Sequence, residues 1–326
     1  MARRAFEVQV LRDSELAQYD HLAQYHGTVF DSAAWTNLFG DALTRYGIYD
    51  AGGSLRGGFC LFRQRKLGLP VLRNPPLTPY IGPFFEFRAQ HPVAMLEESR
   101  QVLTAIADCL ESIHPAVVSV PLARWVTDSL PFLWRDYKVT PHYTYLLPLD
   151  QTDEAILAGM SESRRRNIGK ARRDGLRAER TEVLSIVSSL VEATFARQGK
   201  HADSKYVKRI LFSFARPDNS YAFVVQSSGV PIAGSFVVHC AETAYYLLGG
   251  YDTRVKHHGA GALAMFESIR HAREIGLQTF DFEGSVVPAI ERYFRGFGGR
   301  LTPRFRVSKA WLPLEMALKL SKRRLF

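Results

Sequence analysis

Two carboxylates and a glycine-bearing basic loop carry the chemistry this chain could do. Both lie in the stretch Tyr245–Gly299, YYLLGGYDTRVKHHGAGALAMFESIRHAREIGLQTFDFEGSVVPAIERYFRGFGG. The basic side chains Arg254, Lys256, His257 and His258 precede Gly259-Ala260-Gly261, and the apolar spacing after them predicts a helix with Ala262, Met265, Phe266, Ile269 and Ala272 on one face. Free N–H groups at a helix start point outward and the helix dipole favours negative charge, so strand, basic loop and helix form a candidate anion site. Farther on, Asp281 and Glu283 alternate with Phe280 and Phe282, which predicts a strand over Thr279–Glu283 with both carboxylates leaving one face. A carboxylate at a strand end can accept a proton from an amine or orient it. Glu283, nearer the next loop, is the candidate base; the competing reading is an ion pair with Arg292 or Arg295. Tyr251 and Arg254 could polarise a carbonyl or hold a substrate, and Arg295 could clamp a phosphate or carboxylate with two hydrogen bonds.

These groups need elements to position them. A strand over Tyr245–Leu248 ends at Gly249-Gly250, and a short helix over Ala289–Phe297 runs into Gly298-Gly299. Upstream, strands are expected at Tyr221–Gln226 and Val230–Cys240, and helices at Val183–Gln198 and Ser204–Phe214. A helix over Gln151–Gly159, capped by Thr152 or Asp153, leads into Ser161–Gly175. From Arg164 to Arg180 the basic residues Arg164, Arg165, Arg166, Lys170, Arg172, Arg173, Arg177 and Arg180 crowd together, while Ile168 and Ala171 face inward. Such a run is either a solvated face or a phosphate-contact surface, and no aromatic within it could stack on bases. The first half reads as a strand at Phe6–Leu11, helices at Asp13–His26 and Ala33–Tyr46, and strands at Gly47–Asp50 and Gly57–Arg63. A stiff proline-rich segment, Asn74–Pro83, follows. Pro92–His114 is a long helix, Val117–Val120 a buried strand and Arg124–Trp134 a further helix. The chain closes with a strand over Leu301–Val307 and a helix over Leu314–Phe326.

At 326 residues the chain can build two ordinary domains. Its 42 Lys and Arg against 32 Asp and Glu give a net charge of +10, which attracts anionic partners without choosing among them. Cys60, Cys109 and Cys240 are scattered, so neither a disulfide framework nor a zinc site is expected, and the adjacent His257-His258 do not suit a metal. The N-terminal charges have no apolar stretch behind them and the longest apolar runs are strand-sized, which together read as a cytoplasmic chain. The basic C-terminal tail could touch an anionic membrane, although cations at a helix end need no partner. Motifs for a serine hydrolase elbow, a P-loop and a zinc protease helix are absent.

The spacing Lys256-x-x-Gly259-x-Gly261 resembles the acyl-CoA pyrophosphate loop of GNAT-type N-acyltransferases, with Lys where that family has Gln or Arg. The segments F-D-F-E-G (Phe280–Gly284) and E-R-Y-F-R-G-F-G-G (Glu291–Gly299) resemble the C-terminal signature of the Fem-type enzymes FemAB and FemX, which build peptidoglycan cross-bridges. Phe294 stands where that signature has its phosphate-contacting Lys, and Arg295 follows one residue later. S-x-R-R-N-I-x-K-A (Ser163–Ala171), V-F-D-S-A-A-W (Val29–Trp35) and N-P-P-L-T-P-Y-I-G-P (Asn74–Pro83) are similar to the same group. The resemblance implies an α/β fold of two tandem GNAT-like domains, residues 1–142 and 143–326, with mixed sheets flanked by helices and a cleft between the halves. It implies an N-acyltransferase moving an acyl or aminoacyl group onto an amine. Lys256, Gly259, Ala260 and Gly261 would bind the donor, acyl-CoA or aminoacyl-tRNA as a co-substrate with no resident cofactor. Glu283 and Tyr251 would be catalytic, and Tyr80, Arg165, Arg254, Asp281 and Arg295 would contact substrate. A non-enzymatic protein binding RNA or a membrane surface on a transferase fold is the alternative.

Overall fold

The computed structural model describes residues 5–197, 204–255, 257–284 and 286–321. The chain divides into two compact units, one formed by residues up to His142 together with Pro303 onward, the other by Tyr143–Thr302. The expected division placed residues 303–326 in the second unit. The last strand instead returns to the first, a non-local pairing that no local pattern announces.

In the first unit, β1 (Phe6–Val10), α1 (Leu16–His26), α2 (Ala33–Thr36), β2 (Leu43–Asp50), β3 (Leu55–Lys66), β4 (Leu69–Arg73), β5 (Phe84–Phe85), α3 (Pro92–Ser112), β6 (Val117–Pro121) and α4 (Leu130–Leu133) follow in order. Antiparallel pairs join β1 to β2, β2 to β3 and β3 to β4. β4 then runs parallel to β6. The helix expected over Ala33–Tyr46 stops early. Gly40 takes a left-handed φ of 56°, and Leu43 and Tyr46 continue as strand residues buried in the core. The helix expected over Arg124–Trp134 is reduced to Leu130–Leu133, with Pro131 in its first turn. Pro92 opens α3 in the same way, and Val102, Leu103, Ile106 and Leu110 bury its inner face.

β7 (Lys138–Pro148) leads into the second unit, which holds α5 (Asp153–Gly159), α6 (Glu162–Arg173), β8 (Ala178–Arg180), α7 (Leu184–Arg197), α8 (Ser204–Arg209), β9 (Ser220–Ser227), β10 (Val230–Cys240), β11 (Thr243–Tyr251), α9 (Ala260–Glu274), β12 (Thr279–Asp281) and α10 (Pro288–Arg295). Its sheet order is β7-β12-β11-β10-β9-β8. β12 is parallel to β11 and antiparallel to β7, and the remaining pairs are antiparallel. α9 covers one face of this sheet with Leu263, Met265, Phe266 and Ile269 buried among Phe223, Val237 and Phe280. β13 (Arg300–Ala310) then pairs antiparallel with β6 over Arg306–Ala310, and α11 (Leu312–Ser321) follows. No helix among the described residues is long and apolar enough to cross a membrane.

One buried carboxyl gives the first unit a pH signature. Asp31 is fully buried, and burial raises it to about 6, although the amide and hydroxyl of Thr28 donate to it at 2.9 and 2.7 Å. The folded state therefore binds more protons than the unfolded one between about pH 4 and 6, and stability falls as pH rises through that window, by about 3 kcal/mol at most. Asp31→Asn removes this titrating group. Denaturant titrations should show a variant whose stability changes less between pH 4 and pH 7 than that of the parent chain.

Candidate active site

The glycine loop is built by two helices meeting. Gly259 is the N-cap of α9, and a Cβ there would lie 2.2 Å from the Asn167 carbonyl oxygen and 2.9 Å from Ala171 Cβ, both on α6. Only glycine lets α6 approach so closely. The Gly259 N–H donates to His257 Nδ1 at 3.2 Å, which leaves the ring proton on Nε2, and Nε2 lies 2.9 Å from Asp174 Oδ2. Asp174 also accepts from Lys170 at 2.6 Å. The basic helix is thus fastened to the loop that precedes α9.

At the start of α9 the Ala260 N–H turns back to the His257 carbonyl, and the first intrahelical bond runs from Leu263 to Gly259. The N–H groups of Gly261 and Ala262 have no intrahelical acceptor, and an anion can take them. Gly261 is open: a Cβ there would meet only the Tyr293 hydroxyl, at 3.6 Å. Tyr293 is in turn covered by the Arg164 guanidinium, 4.5 Å above its ring centre. Lys256, expected beside this turn, lies outside the described residues.

Tyr251 and Arg254 shape the loop from its other end. The Tyr251 hydroxyl accepts from the His257 N–H at 2.9 Å and reaches the Val255 carbonyl at 3.3 Å. Arg254 forms a two-pronged pair with Asp252, with Nη2 to Oδ2 at 2.7 Å, and this hydrogen bonding pulls Asp252 down to about 2. The Arg254 guanidinium is 87% exposed, so it could exchange that partner for another anion.

β11 and β12 pair in parallel only from Thr243–Thr279 to Tyr245–Asp281. β11 then runs on to Tyr251 against β10 alone, which leaves the β12 side of Tyr246–Gly250 without a ladder from that strand. Parallel pairing sends the segments after both strands toward one sheet edge, where ligands of open α/β sheets collect. The strand expected over Thr279–Glu283 ends at Asp281, and Glu283 adopts a left-handed φ of 62°, so the two carboxylates do not share a strand face. Asp281 is fully buried. It accepts from the Thr144 hydroxyl and, at 2.8 Å, from the Glu283 N–H. Asp281 therefore sets the turn that carries Glu283, whose carboxylate oxygens are shielded from solvent.

The expected substrate residues scatter. Arg295 pairs with Glu291 at 3.1 Å, and Glu291 accepts from the Tyr145 hydroxyl at 2.5 Å. Burial and this bond push Tyr145 up to about 12. Arg165 donates to the carbonyls of Ala158 and Met160, capping the end of α5. Others of the basic run are also engaged: Arg166 with Glu162 at 3.1 Å, and Arg172 with Glu267 at 3.1 Å. Tyr80 belongs to the first unit and is 1% exposed, edge-on to Phe30 and Trp125, with Arg304 over its ring. It is a core aromatic, which corrects its expected place at a substrate cleft. The residues that sequence reasoning missed are Tyr246, Tyr293 and Arg164. Tyr246 stands on the uncovered stretch of β11 with its hydroxyl over Gly249 and its ring edge-on to Phe294. Burial raises both Tyr246 and Tyr293 above the usual tyrosine range.

The strand, glycine turn and helix start beside a parallel strand pair lie within residues 162–295, which match the family model described as Acetyltransferase (GNAT) domain. The whole chain has the fold of FemX, a GNAT fold in two halves. A crystal structure of FemX superposes with a TM-score of 0.69 at 14% identity, covering 96% of this chain and 100% of that one. The C-terminal DUF2156 domain of a putative lysylphosphatidylglycerol synthetase from Agrobacterium fabrum is similar at TM-score 0.55 and 11% identity, covering 94% and 95%. L-PGS from Bacillus licheniformis is similar at TM-score 0.55 and 11% identity, covering 97% and 98%. No curated protein matches the chain by sequence.

The two loop glycines should behave oppositely. Gly259→Ala forces a contact of 2.2 Å against backbone and should cost about 1–3 kcal/mol, whereas Gly261→Ala meets only ordinary contact and should leave the melting temperature unchanged within error. Thermal unfolding of both variants checks this. Equal stability would remove helix approach as the reason for Gly259.

Proposed function

We propose that the chain is an N-acyltransferase that moves an acyl or aminoacyl group from a carrier to an amine, with acyl-CoA as the favoured donor. The observation that carries this reading is the start of α9: two N–H groups without helical acceptors beside an open Gly261, in a segment that matches a GNAT domain. The donor's pyrophosphate would sit there with the Tyr293 hydroxyl beside it, and its amide-bearing arm would pair with the uncovered side of β11. By the resemblance of Lys256-x-x-Gly259-x-Gly261 to a donor loop, Lys256 would contribute a further positive charge to donor binding, and Arg254 could swing from Asp252 toward the phosphate. Aminoacyl-tRNA is the alternative donor, since it offers the same phosphate chemistry to the basic helix.

Acyl transfer needs a neutral amine, a positioned thioester carbonyl and donors for the oxyanion that develops in the transition state. Glu283 follows β12 and would take the proton that the neutral amine nitrogen gives up as it attacks the carbonyl. The new C–N bond forms as the C–S bond breaks, and the thiolate leaves on the carrier. Tyr246 is level with the residues just past Asp281 and could donate its hydroxyl to the oxyanion, since its burial keeps it protonated. Tyr251 acts through the loop it ties together. Asp281 acts as a positioning residue for Glu283. Arg295, paired with Glu291 but with its side chain 61% exposed, would meet an anionic acceptor such as a cell-wall or polysaccharide precursor.

The test is release of CoA thiol from acetyl-CoA in the presence of a panel of amines, including amino sugars and peptidyl amines. Glu283→Gln should lower kcat at least about 100-fold with little change in the donor KM. Arg295→Ala should raise the acceptor KM more than the donor KM. Turnover that is unchanged in Glu283→Gln would remove that residue from the reaction. Absence of turnover with every amine, together with salt-dependent RNA binding, would favour the non-enzymatic alternative.

A further inference from the structure

The first unit carries a cavity that the acyl-transfer reading does not use. β4 and β6 run parallel with Val71 opposite Val117 and Arg73 opposite Ser119, and β13 continues the sheet with Ser308 opposite Ser119 and Arg306 opposite Pro121. Side chains alternate along strands, so Leu69, Val71 and Arg73 share one face with Val117, Ser119 and Arg306. Leu314 and Leu318, one helical turn apart on α11, lie over that face. Together these residues enclose about 490 Å³, the size of a small-ligand pocket. The strands carry its lining from Leu67, Leu69, Val71 and Val117, with Lys66 at the rim opposite Leu69, to a basic stretch at Arg73, Asn74, Ser119 and Arg306.

The basic end is a charge without a counter-charge. No carboxylate lines the cavity, and among the described residues neither Arg73 nor Arg306 has one within ion-pair distance. Arg306 leans on the Ser119 hydroxyl at 3.2 Å and on His142 Nε2 at 3.3 Å, while Arg73 reaches only the Asn74 carbonyl and Gln64. Burial, together with Arg304 and Arg73, pulls Arg306 down to about 10; burial, together with Arg306 and Arg304, pulls His142 down to about 4. Gathering half-buried cations in this way is costly unless an anion joins them. The helix above offers a second observation. Leu312, Met316 and Leu320 repeat every fourth residue on the outer face of α11 at 74%, 65% and 81% exposure, beside Trp311 at 65%. A helix with apolar residues toward both the cavity and the outside suits contact with lipid-like molecules.

We propose that this cavity binds an anionic amphiphile, with an alkyl chain along Val71, Val117, Leu314 and Leu318 and a phosphate or carboxylate head on Arg73 and Arg306. The site shares no residue with the glycine loop, so it stands or falls apart from the acyl-transfer reading. The probe is dodecyl phosphate, titrated calorimetrically into the full chain below its micelle concentration, with inorganic phosphate as comparison. Saturable binding of dodecyl phosphate alone is expected, weakened about 10-fold or more by Arg73→Gln, by Arg306→Gln and by Leu318→Glu. Should Arg306→Gln fail to fold, Arg73→Gln and Leu318→Glu decide. Flotation with phosphatidylglycerol vesicles separates the sources. Vesicle binding lost in Arg73→Gln assigns a lipid, and dodecyl phosphate binding without vesicle binding assigns a soluble amphiphile. No binding of dodecyl phosphate by the folded parent chain, or unchanged affinity in both Arg73→Gln and Leu318→Glu, would overturn the proposal.

Discussion

The close approach of α6 to the start of α9 at Gly259 is the constraint on which the second unit depends. A side chain at that point would strike the Asn167 carbonyl, so the helix start, the turn before it and the basic helix are one packed object. Hydrogen bonds then hold what packing brings together: Gly259 to His257, His257 to Asp174, Asp174 to Lys170. Each is modest alone, on the order of 1 kcal/mol. Their combined effect is to hold the Gly261 and Ala262 N–H groups in a fixed orientation before any ligand arrives, and preorganisation of this kind lowers the cost of binding.

The same helix shows why a charge cluster must be read with its neighbours. Arg165 caps α5, Arg166 and Lys170 pair within or just beyond their own helix, and Arg172 lies over Phe266 while bonding Glu267. Arg164 stacks on Tyr293 and so supports the ring whose hydroxyl faces Gly261. Several cations of the run are therefore occupied with holding α5, α6, α9 and α10 together. Arg254, at 87% exposure, has a freer charge than Arg295 at 61%.

Much of this arrangement was legible in the sequence, and the failures have physical causes. The apolar period of α9, the inward face of α6 at Ile168 and Ala171, and the glycine turn followed from local spacing, because local spacing is what builds them. Glu283 was misplaced because alternation was carried past Asp281, where the chain leaves the strand and enters a left-handed turn held by the Asp281 carboxylate. Tyr246 and Tyr293 were overlooked because each is an ordinary aromatic in its own segment, and only the packing of α10 sets Tyr293 beside Gly261 and Phe294 against Tyr246. The return of β13 to β6, with the second unit lying between them in sequence, left no local trace. Tyr80 illustrates the converse: a conspicuous residue in a proline-rich segment that turns out to be core.

The claim on which this account rests is that the start of α9 holds the phosphate end of a CoA donor. Calorimetric titration of the purified chain with CoA and acetyl-CoA, with Gly261→Glu as the paired variant, tests it most directly. Position 261 is open enough for the larger side chain to leave the fold intact, while its carboxylate would occupy the place of the anion. The account predicts saturable binding of both ligands by the parent chain and loss of that binding in the folded variant. A folded parent chain that binds neither ligand, or a variant that binds them equally well, would contradict it.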